Sequence, residues 1–243
     1  MCCAANMKFP TVAFDLDGTL YPDYCFNIRL FPFLLKGHRL LIAMGKARNH
    51  LREFDRITRD TTGKDSDKAP LEDFYELQAK LMGEILNIQM EEAKEMTERL
   101  IYRGWEPLFK KVRLFPYARE TLQTFREKGI KLGLLSDFPP EIKLENLKIN
   151  DFWHTAFSSE QTGHLKPDPA PFLELARRME TPPEQILYVG NSVPYDVVGA
   201  NNVGMKTALI RPRWKKRPSF GAAASSPDFV FSDYRQLCEY VIS

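Results

Sequence analysis

Hydrophobic residues recur along the chain with two different periods. Thr11 to Phe14 form a short apolar, partly β-branched run that ends in acidic residues and a glycine, which predicts a buried strand and its exit loop. From residue 21 to about residue 110, apolar positions recur at helical spacing instead. Helices are predicted over Phe26–His50, Leu71–Leu86 and Glu91–Tyr102, with a polar loop over Thr61–Pro70.

After Pro116 the pattern alternates between helical and strand-like segments. Helices are predicted over Tyr117–Lys128, Pro140–Leu147, Pro169–Met179, Tyr195–Asn201 and Tyr234–Val241. Strands are predicted over Ile130–Leu135, His154–Phe157, Ile186–Val189, Met205–Ile210 and Asp228–Phe231. Such alternation is typical of βαβ units, so the sequence predicts an α/β fold: a doubly wound, Rossmann-like parallel sheet. Residues 1–20 and 111–243 are expected to form this core, and residues 21–110 an inserted α-helical cap domain.

Composition and charge narrow the possible partners. The chain has 243 residues, of which 44% are hydrophobic and 27% charged, as in ordinary globular proteins. Its 34 basic and 32 acidic residues give a net charge of +2, so no field of one sign attracts nucleic acid or a membrane, and neither is expected as a partner. The basic stretch within Arg211–Ser226 is interpreted as a solvated connection rather than a nucleic-acid patch.

The cysteines and the chain's start favour a cytoplasmic location. Cys2, Cys3, Cys25 and Cys238 have no spacing typical of a metal knuckle or a disulfide framework. Cys2 and Cys3 are interpreted as part of a flexible leader; acylation is the alternative, but no adjacent apolar or basic segment supports it. No signal peptide or uninterrupted membrane-spanning segment is predicted.

Residues whose side chains could take part in catalysis or metal binding follow successive predicted strands. In doubly wound sheets ligands bind beyond the carboxyl ends of the strands, so these residues are expected to converge at one edge. They are Asp15 and Asp17 after the first strand, Ser136 and Asp137 after the second, Lys166 before the helix at Pro169, and Gly190, Asn191 and Asp196 after the strand at Ile186.

Four segments in this order resemble the motifs of the haloacid dehalogenase-like hydrolase superfamily. DLDGTL, at residues 15–20, is the most specific, and GHLKPDPAPF, at residues 163–172, is nearly as specific. LLSDF, at residues 134–138, and YVGNSVPYDVVGA, at residues 188–200, follow the second and fourth motifs. The insert between the first two lies where the family places a helical cap.

The resemblance implies a Mg²⁺-dependent phosphatase. Asp15 would attack phosphorus to form an aspartyl-phosphate, and Asp17 would serve as general acid and then as general base. Lys166 and Mg²⁺ would offset the repulsion between carboxylate and phosphate. The expected metal ligands are Asp15, the backbone carbonyl of Asp17, and Asp196. Asn191, which stands where the family often has an aspartate, is expected to be a weaker one.

The substrate is expected to be a small phosphorylated metabolite. Ser136 and Asp137 would line the phosphate site, and Thr19 would brace the loop that carries Asp15. The cap would set specificity, and the continuation Leu20-Tyr21-Pro22 is similar to a branch containing pyrimidine nucleotidase-like phosphatases. Aromatic residues that could stack on a base or sugar, or simply form the cap core, are Tyr24, Phe26, Phe31, Phe33 and Tyr75.

Three alternatives remain open from the sequence. A 2-haloacid dehalogenase of the same superfamily would lack an acid at the position of Asp17. A sugar phosphomutase would share the phosphoaspartate and return the phosphoryl group to sugar. A catalytically silent binding protein would keep the scaffold, but the presence of Asp15, Asp17, Lys166 and Asp196 together argues against it.

Overall fold

The computed structural model describes the backbone of residues 8–62, 71–212 and 226–243, and within them all side chains except those of residues 25–36, 58–62, 71–73 and 106. The strands are β1 (Thr11–Phe14), β2 (Lys131–Ser136), β3 (Thr155–Ser158), β4 (Ile186–Gly190), β5 (Lys206–Ile210) and β6 (Phe229–Phe231). They form one parallel sheet in the order β3-β2-β1-β4-β5-β6. The predicted α/β class and parallel sheet are therefore confirmed.

Helices cover both faces of this sheet. They are α5 (Ala118–Glu127), α6 (Glu141–Leu147), α7 (Pro169–Met179), α8 (Val198–Asn202) and α9 (Tyr234–Ile242). The caps of α5 and α7 follow from local chemistry. Gly129 ends α5 at φ 77°, a left-handed conformation that glycine adopts without strain. Asp168 begins α7 by accepting the backbone N–H of Ala170 at 2.9 Å, with Pro169 as the first helical residue.

Side chains of alternating residues in the strands enter two apolar layers. Val12 and Phe14 of β1 pack in the layer that contains Phe125 of α5, whereas Ala13 packs in the layer that contains Phe172 of α7. This is the consequence of the two-residue period of a strand that is buried on both faces. Because β1 lies in the middle of the sheet, the loop that follows it is surrounded by the ends of its neighbours.

The segment between β1 and α5 is helical, as the sequence predicts, but the bounds of its helices differ from the predicted ones. Its helices are α1 (Asp23–Thr62), α2 (Leu71–Leu86), α3 (Met90–Thr97) and α4 (Glu106–Phe109), with a π-helical turn at Glu98–Tyr102. We call α1 to α4 the helical segment. The first helix is much longer than predicted and includes two residues of the expected loop, while residues 63–70 lie outside the described residues.

The helical segment has an apolar core of its own. Leu40, Ala43, Met44 and Ala47 of α1 pack there at helical spacing against Met82 of α2. No helix in the described part of the chain combines the length and apolar character needed to cross a membrane. The predicted leader with Cys2 and Cys3, and most of the basic connection (residues 213–225), lie outside the described residues.

Candidate active site

A buried lysine joins two carboxylates at the carboxyl ends of β1 and β4. Lys166, in the loop before α7, is 2% exposed. Its Nζ donates hydrogen bonds to Asp15 Oδ1 at 2.7 Å and to Asp196 Oδ1 at 2.8 Å. Asp15 directly follows β1, and Asp196 lies in the π-helical turn Val193–Val197 after β4. Pairing of β1 with β4 thus brings distant parts of the chain into one site.

Burial and charge oppose each other in this cluster. Burial raises the pKa of Asp15 to about 7; Lys166 opposes the rise, and the carboxylates of Asp196 and Asp17 add to it. Burial alone would lower the pKa of Lys166, but Asp15 and Asp196 outweigh burial and hold that pKa well above its usual value. Two buried carboxylates that share one ammonium leave negative charge in excess, so the site favours a further cation.

Asn191 connects the loop after β4 to the loop after β1. Its Nδ2 donates to the backbone carbonyl of Asp17 at 3.1 Å, while its backbone N–H donates to Asp196 Oδ2 at 3.1 Å. Gly18 permits this close approach. Its φ is 83°, and a Cβ at this position would lie 1.9 Å from Asn191 Nδ2. A side chain at position 18 would therefore be strained and would displace the Asn191 amide.

Asp17 lies on the outer side of the cluster and has a different partner. Lys143 Nζ donates to its two carboxylate oxygens at 2.8 Å and 2.6 Å, and the hydroxyl of Tyr21 donates to Oδ1. The Lys143 side chain, on α6, is only 7% exposed, whereas that of Asp17 is 36% exposed. Asp17 can therefore reach a bound molecule while Asp15 stays enclosed.

The remaining predicted substrate residues occupy different positions. Ser136, at the end of β2, is fully buried and its Oγ accepts the backbone N–H of Phe138 at 3.2 Å. The Thr19 hydroxyl donates to Asp15 Oδ2 at 2.7 Å. Asp137 faces the helical segment: its carboxylate accepts hydrogen bonds from Arg52 at 3.2 Å and from Ser159 at 3.1 Å.

A second buried ion pair connects the helical segment to the core. Arg48 of α1 donates to Glu160 at 2.5 Å and to the backbone carbonyl of Asp137 at 2.7 Å. The hydroxyls of Tyr75 and Tyr102 also donate to Glu160, at 3.0 Å and 2.9 Å. Burial raises the pKa of Glu160, and Arg48 opposes that rise. Arg48 of the helical segment thus holds the loop after β2 in place.

A cavity of about 860 Å³ lies between the helical segment and the residues that follow β2. Lys143 is part of its lining, so the cavity extends to the pair formed by Lys143 and Asp17. Aromatic side chains form much of the remaining wall: Tyr75, Tyr102, Trp105, Phe109 and Phe138. Several of these rings meet edge to face, with centroids 5.6 to 6.3 Å apart.

Sequence reasoning missed Lys143 and Glu160, and it did not predict that Arg48 pairs with a residue of the core. Lys143 precedes Leu147 by one helical turn, and a lysine on the apolar side of a short helix was the available signal. Arg48 lies four residues after Met44, which is buried, so it too falls beside the apolar stripe of its helix. Glu160 lies in a 3₁₀ turn after β3, where no periodicity marks it.

The oxygen donors at the site fit a Mg²⁺ ion. Asp15 and Asp196 supply carboxylate oxygens, and the carbonyl oxygen of Asp17 belongs to the same loop as Asp15. Hard oxygen donors are the ligands that Mg²⁺ prefers. The amide of Asn191 presents its N–H to the carbonyl of Asp17, so in this arrangement it acts as a hydrogen-bond donor.

The chain belongs to the haloacid dehalogenase-like hydrolase family, because the model of that family matches residues 9–204. It is similar to the glyceraldehyde 3-phosphate phosphatase of Methanopyrus kandleri, with 35% identity over 52% of this chain and 56% of that protein. It is also similar to the phosphoglycolate phosphatase of Mannheimia succiniciproducens, with 25% identity over 97% of this chain and 100% of that protein. Matches to the first relatives span 46% to 65% of their length.

Solved structures show the same fold. The L-2-haloacid dehalogenase of Xanthobacter autotrophicus matches with a TM-score of 0.64 and 16% identity, over 96% of this chain and 98% of that one. At this identity the likeness concerns the arrangement of strands and helices and leaves the chemistry to the residues of the site. The resemblance that the sequence motifs indicated, to this superfamily, is confirmed.

Proposed function

We propose that this chain is a Mg²⁺-dependent phosphatase that hydrolyses a phosphate monoester through an aspartyl-phosphate on Asp15. The observation that carries the proposal is the convergence of Asp15, Lys166 and Asp196, with Lys166 Nζ at 2.7 Å and 2.8 Å from the two carboxylates. Relatives named as phosphatases support the same chemistry.

The protein's own groups account for both half-reactions. In the first, Asp15 forms a bond to phosphorus while the bond to the ester oxygen breaks, and Asp17 gives that oxygen a proton. In the second, water adds to phosphorus, Asp17 takes the water proton, and the bond from phosphorus to Asp15 breaks to release inorganic phosphate. Lys166 would attract the phosphate oxygens, and Ser136 with backbone N–H groups after β2 would help to bind them.

Asp15, Asp196 and the carbonyl of Asp17 would hold the metal ion. When bound, Mg²⁺ supplies positive charge that offsets the repulsion between the phosphate and the buried carboxylates. The fit rests on the donor set and on the raised pKa of Asp15, which burial and the neighbouring carboxylates cause. Asn191 would contribute through its contact with the loop that carries Asp17.

The presence of Asp17 favours hydrolysis of a phosphate ester over dehalogenation. A displacement at carbon leaves a halide, which needs no proton, so a general acid beside the nucleophile would have no task. Asp17 is present and partly exposed, and it lies next to the cavity. The dehalogenases with similar structures share the fold at low identity and do not bear on this residue.

The cavity suggests where the leaving group binds. We infer that the helical segment acts as a cap, and that the alcohol part of the substrate occupies the space between Asp17 and the aromatic wall. Binding pockets for small molecules of drug size have volumes of about 300 to 1,000 Å³, and this cavity is about 860 Å³. A leaving group that carries a ring system would fill it better than a two-carbon acid.

Hydrolysis of an aryl phosphate, with and without Mg²⁺, tests the phosphatase proposal. Turnover that requires Mg²⁺ and a covalent phosphoenzyme after rapid quenching are expected. Full activity after thorough chelation would overturn the metal dependence. Absence of both turnover and phosphoenzyme over a wide panel of phosphorylated metabolites would favour a binding protein, and transfer of the phosphoryl group to a second hexose position would favour a phosphomutase.

The same panel tests the leaving-group pocket. Trp105→Ala is expected to lower kcat/KM for ring-bearing monoesters about tenfold, because a lost aromatic contact is worth about 1 to 2 kcal/mol. Its effect on phosphoglycolate should be much smaller. Tyr24→Ala is the matched control, because Tyr24 is 48% exposed and is not among the residues that line the cavity. An equal loss on both substrates with Trp105→Ala would contradict the pocket assignment.

A further inference from the structure

A buried histidine lies between the helical segment and the core. His164, in the loop before α7, is 5% exposed, and its Nδ1 has no hydrogen-bond partner among the described residues. The carboxylates of Asp55, from α1, and Asp168, at the start of α7, lie close to this atom. Both aspartates are also buried. The phosphatase chemistry proposed above uses none of the three side chains.

The distances in this group differ from those of hydrogen bonds. His164 Nδ1 lies 3.4 Å from Asp55 Oδ2 and 3.6 Å from Asp168 Oδ2. Hydrogen bonds from N–H to oxygen have a typical length of about 2.9 Å. A tetrahedral metal ion with bonds of about 2.0 to 2.1 Å separates its ligand atoms by about 3.3 to 3.4 Å. The spacing around His164 is therefore closer to that of metal ligands.

The secondary structure holds these ligand atoms in place from two sides. Asp168 Oδ1 accepts the backbone N–H of Ala170 at 2.9 Å, which fixes the carboxylate and leaves Oδ2 on the side of His164. Asp55 belongs to α1 and lies one turn after Leu51, which is packed against Leu165 of the same core loop. The ligand atoms of all three residues lie within 4.8 Å of one another.

We propose that Asp55, His164 and Asp168 form a binding site for a divalent transition-metal ion of the zinc type. One imidazole nitrogen and two carboxylate oxygens make up three protein ligands, which leaves a fourth position for water. An imidazole ligand favours Zn²⁺, Co²⁺ or Ni²⁺ over Mg²⁺, which prefers oxygen. This site is separate in its residues from the carboxylates that would hold Mg²⁺ at Asp15.

A metal ion at this site would connect the helical segment to the core. Asp55 comes from α1, whereas His164 precedes Lys166 by two residues in the core loop. Arg52 of α1 already donates to the backbone carbonyl of Lys166 at 2.8 Å, so the metal would add a second link beside it. Such a link would hold the helical segment against the active site and slow any opening that substrate exchange requires.

Zinc retention by the full chain tests this proposal. The protein is dialysed against Zn²⁺ in the presence of excess Mg²⁺, which occupies oxygen sites, and bound zinc is then counted. One zinc ion per chain is expected, with an increase in the temperature of thermal unfolding. His164→Gln should bind zinc at least about tenfold more weakly. His154→Gln is the matched control, because His154 is exposed and remote from this group, and it should retain zinc.

Two outcomes would overturn the proposal. Zinc that is not retained in excess Mg²⁺ would show that the three residues form no metal site, and equal retention by wild type and His164→Gln would place zinc elsewhere. If His164→Gln does not fold, Asp55→Asn gives the same comparison with a smaller change. Since the measurement counts bound metal, it does not depend on whether the protein hydrolyses phosphate esters.

Discussion

Two groups of buried, oppositely charged side chains in the described part of the chain differ in what they connect. Lys166 with Asp15 and Asp196, the core cluster, joins three segments of the core: the loop before α7, the loop after β1 and the π-helical turn after β4. Arg48 with Glu160, the interface pair, joins a helix of the helical segment to a turn after β3. Both are almost fully enclosed, and both combine a cation with carboxylate.

This difference indicates that the two groups have different roles, one in binding and the other in holding the structure together. In the core cluster, carboxylates outnumber cations, the pKa of Asp15 is raised by burial, and a bound metal ion would offset the excess negative charge. In the interface pair, Arg48 and the hydroxyls of Tyr75 and Tyr102 already satisfy Glu160. The first cluster is arranged to bind something further, whereas the second is arranged to hold two parts of the chain together.

The largest expected effect is that of Asp15→Asn. An amide cannot form the aspartyl-phosphate, so residual activity above about one per cent would contradict the nucleophile assignment. The temperature of thermal unfolding should not fall, because burial disfavours the charge that this substitution removes and Lys166 keeps Asp196 as its partner. Steady-state hydrolysis and thermal unfolding are measured on the same sample. Asp151→Asn, at an exposed position, is the control.

Asp17→Asn should be the next most severe change. Loss of a general acid costs about 10² to 10⁴ in rate when the leaving group needs a proton, and far less when it does not. Alkyl phosphates should therefore slow much more than aryl phosphates, measured as kcat/KM over a series of leaving groups. The Asn side chain still accepts a hydrogen bond from Lys143, so the loop should keep its shape. Equal losses over the series would argue against the acid–base role.

The core cluster was accessible from the sequence because its members have local signatures. Short apolar runs predict the strands, and parallel strands end at a common edge, so Asp15, Lys166 and Asp196 are expected to meet. The sheet and both of its helical layers follow from the same alternation. Nothing local marks Glu160 as the partner of Arg48, since that pairing depends on how the helical segment packs against the core.

The pattern of apolar residues also did not predict the lengths of the helices. The first helix extends from Asp23 to Thr62, well past the apolar periodicity that ends near His50, because packing against the core stabilises turns whose own sequence is polar. The π-helical turns at Glu98–Tyr102 and Val193–Val197 have no period that distinguishes them from ordinary helix. One of these turns carries Asp196, so a candidate site residue coincides with an irregularity that periodicity does not predict.

Arg48→Met tests the interface pair through stability. Removing one partner of a buried ion pair typically costs about 3 to 5 kcal/mol, because the other charge, here Glu160, stays enclosed without its counter-ion. The loss should be larger at pH 8 than at pH 5. Burial already raises the pKa of Glu160, and without Arg48 that pKa rises further. The folded variant then binds a proton that the unfolded chain has lost, so stability falls as pH rises.

Urea unfolding at both pH values measures this effect. In the double variant that combines Glu160→Gln with Arg48→Met, the loss of stability should no longer depend on pH, since no carboxylate remains to titrate at the pair. Arg99→Met is the matched control, because the ion pair of Arg99 with Glu95 is exposed and contributes little. A pH-independent loss in the single variant would mean that Arg48 acts through packing against Phe138, over whose ring it lies at 4.2 Å, rather than through charge.

The smallest expected effect concerns metal affinity at the core cluster. Asn191→Asp adds a carboxylate beside Asp15 and Asp196 and should tighten Mg²⁺ binding by roughly tenfold, measured as the Mg²⁺ concentration that gives half-maximal activity. The substitution also removes the donor that Asn191 Nδ2 offers to the Asp17 carbonyl. Without metal the variant should therefore be less stable than the wild type, because a third carboxylate joins a cluster whose charge is already in excess. Asn150→Asp, in a 3₁₀ turn outside the site, should leave Mg²⁺ binding unchanged. If Asn191→Asp weakened Mg²⁺ binding, the contact with Asp17 would matter more than the added charge, and Asn191 would be a positioning residue and not a ligand.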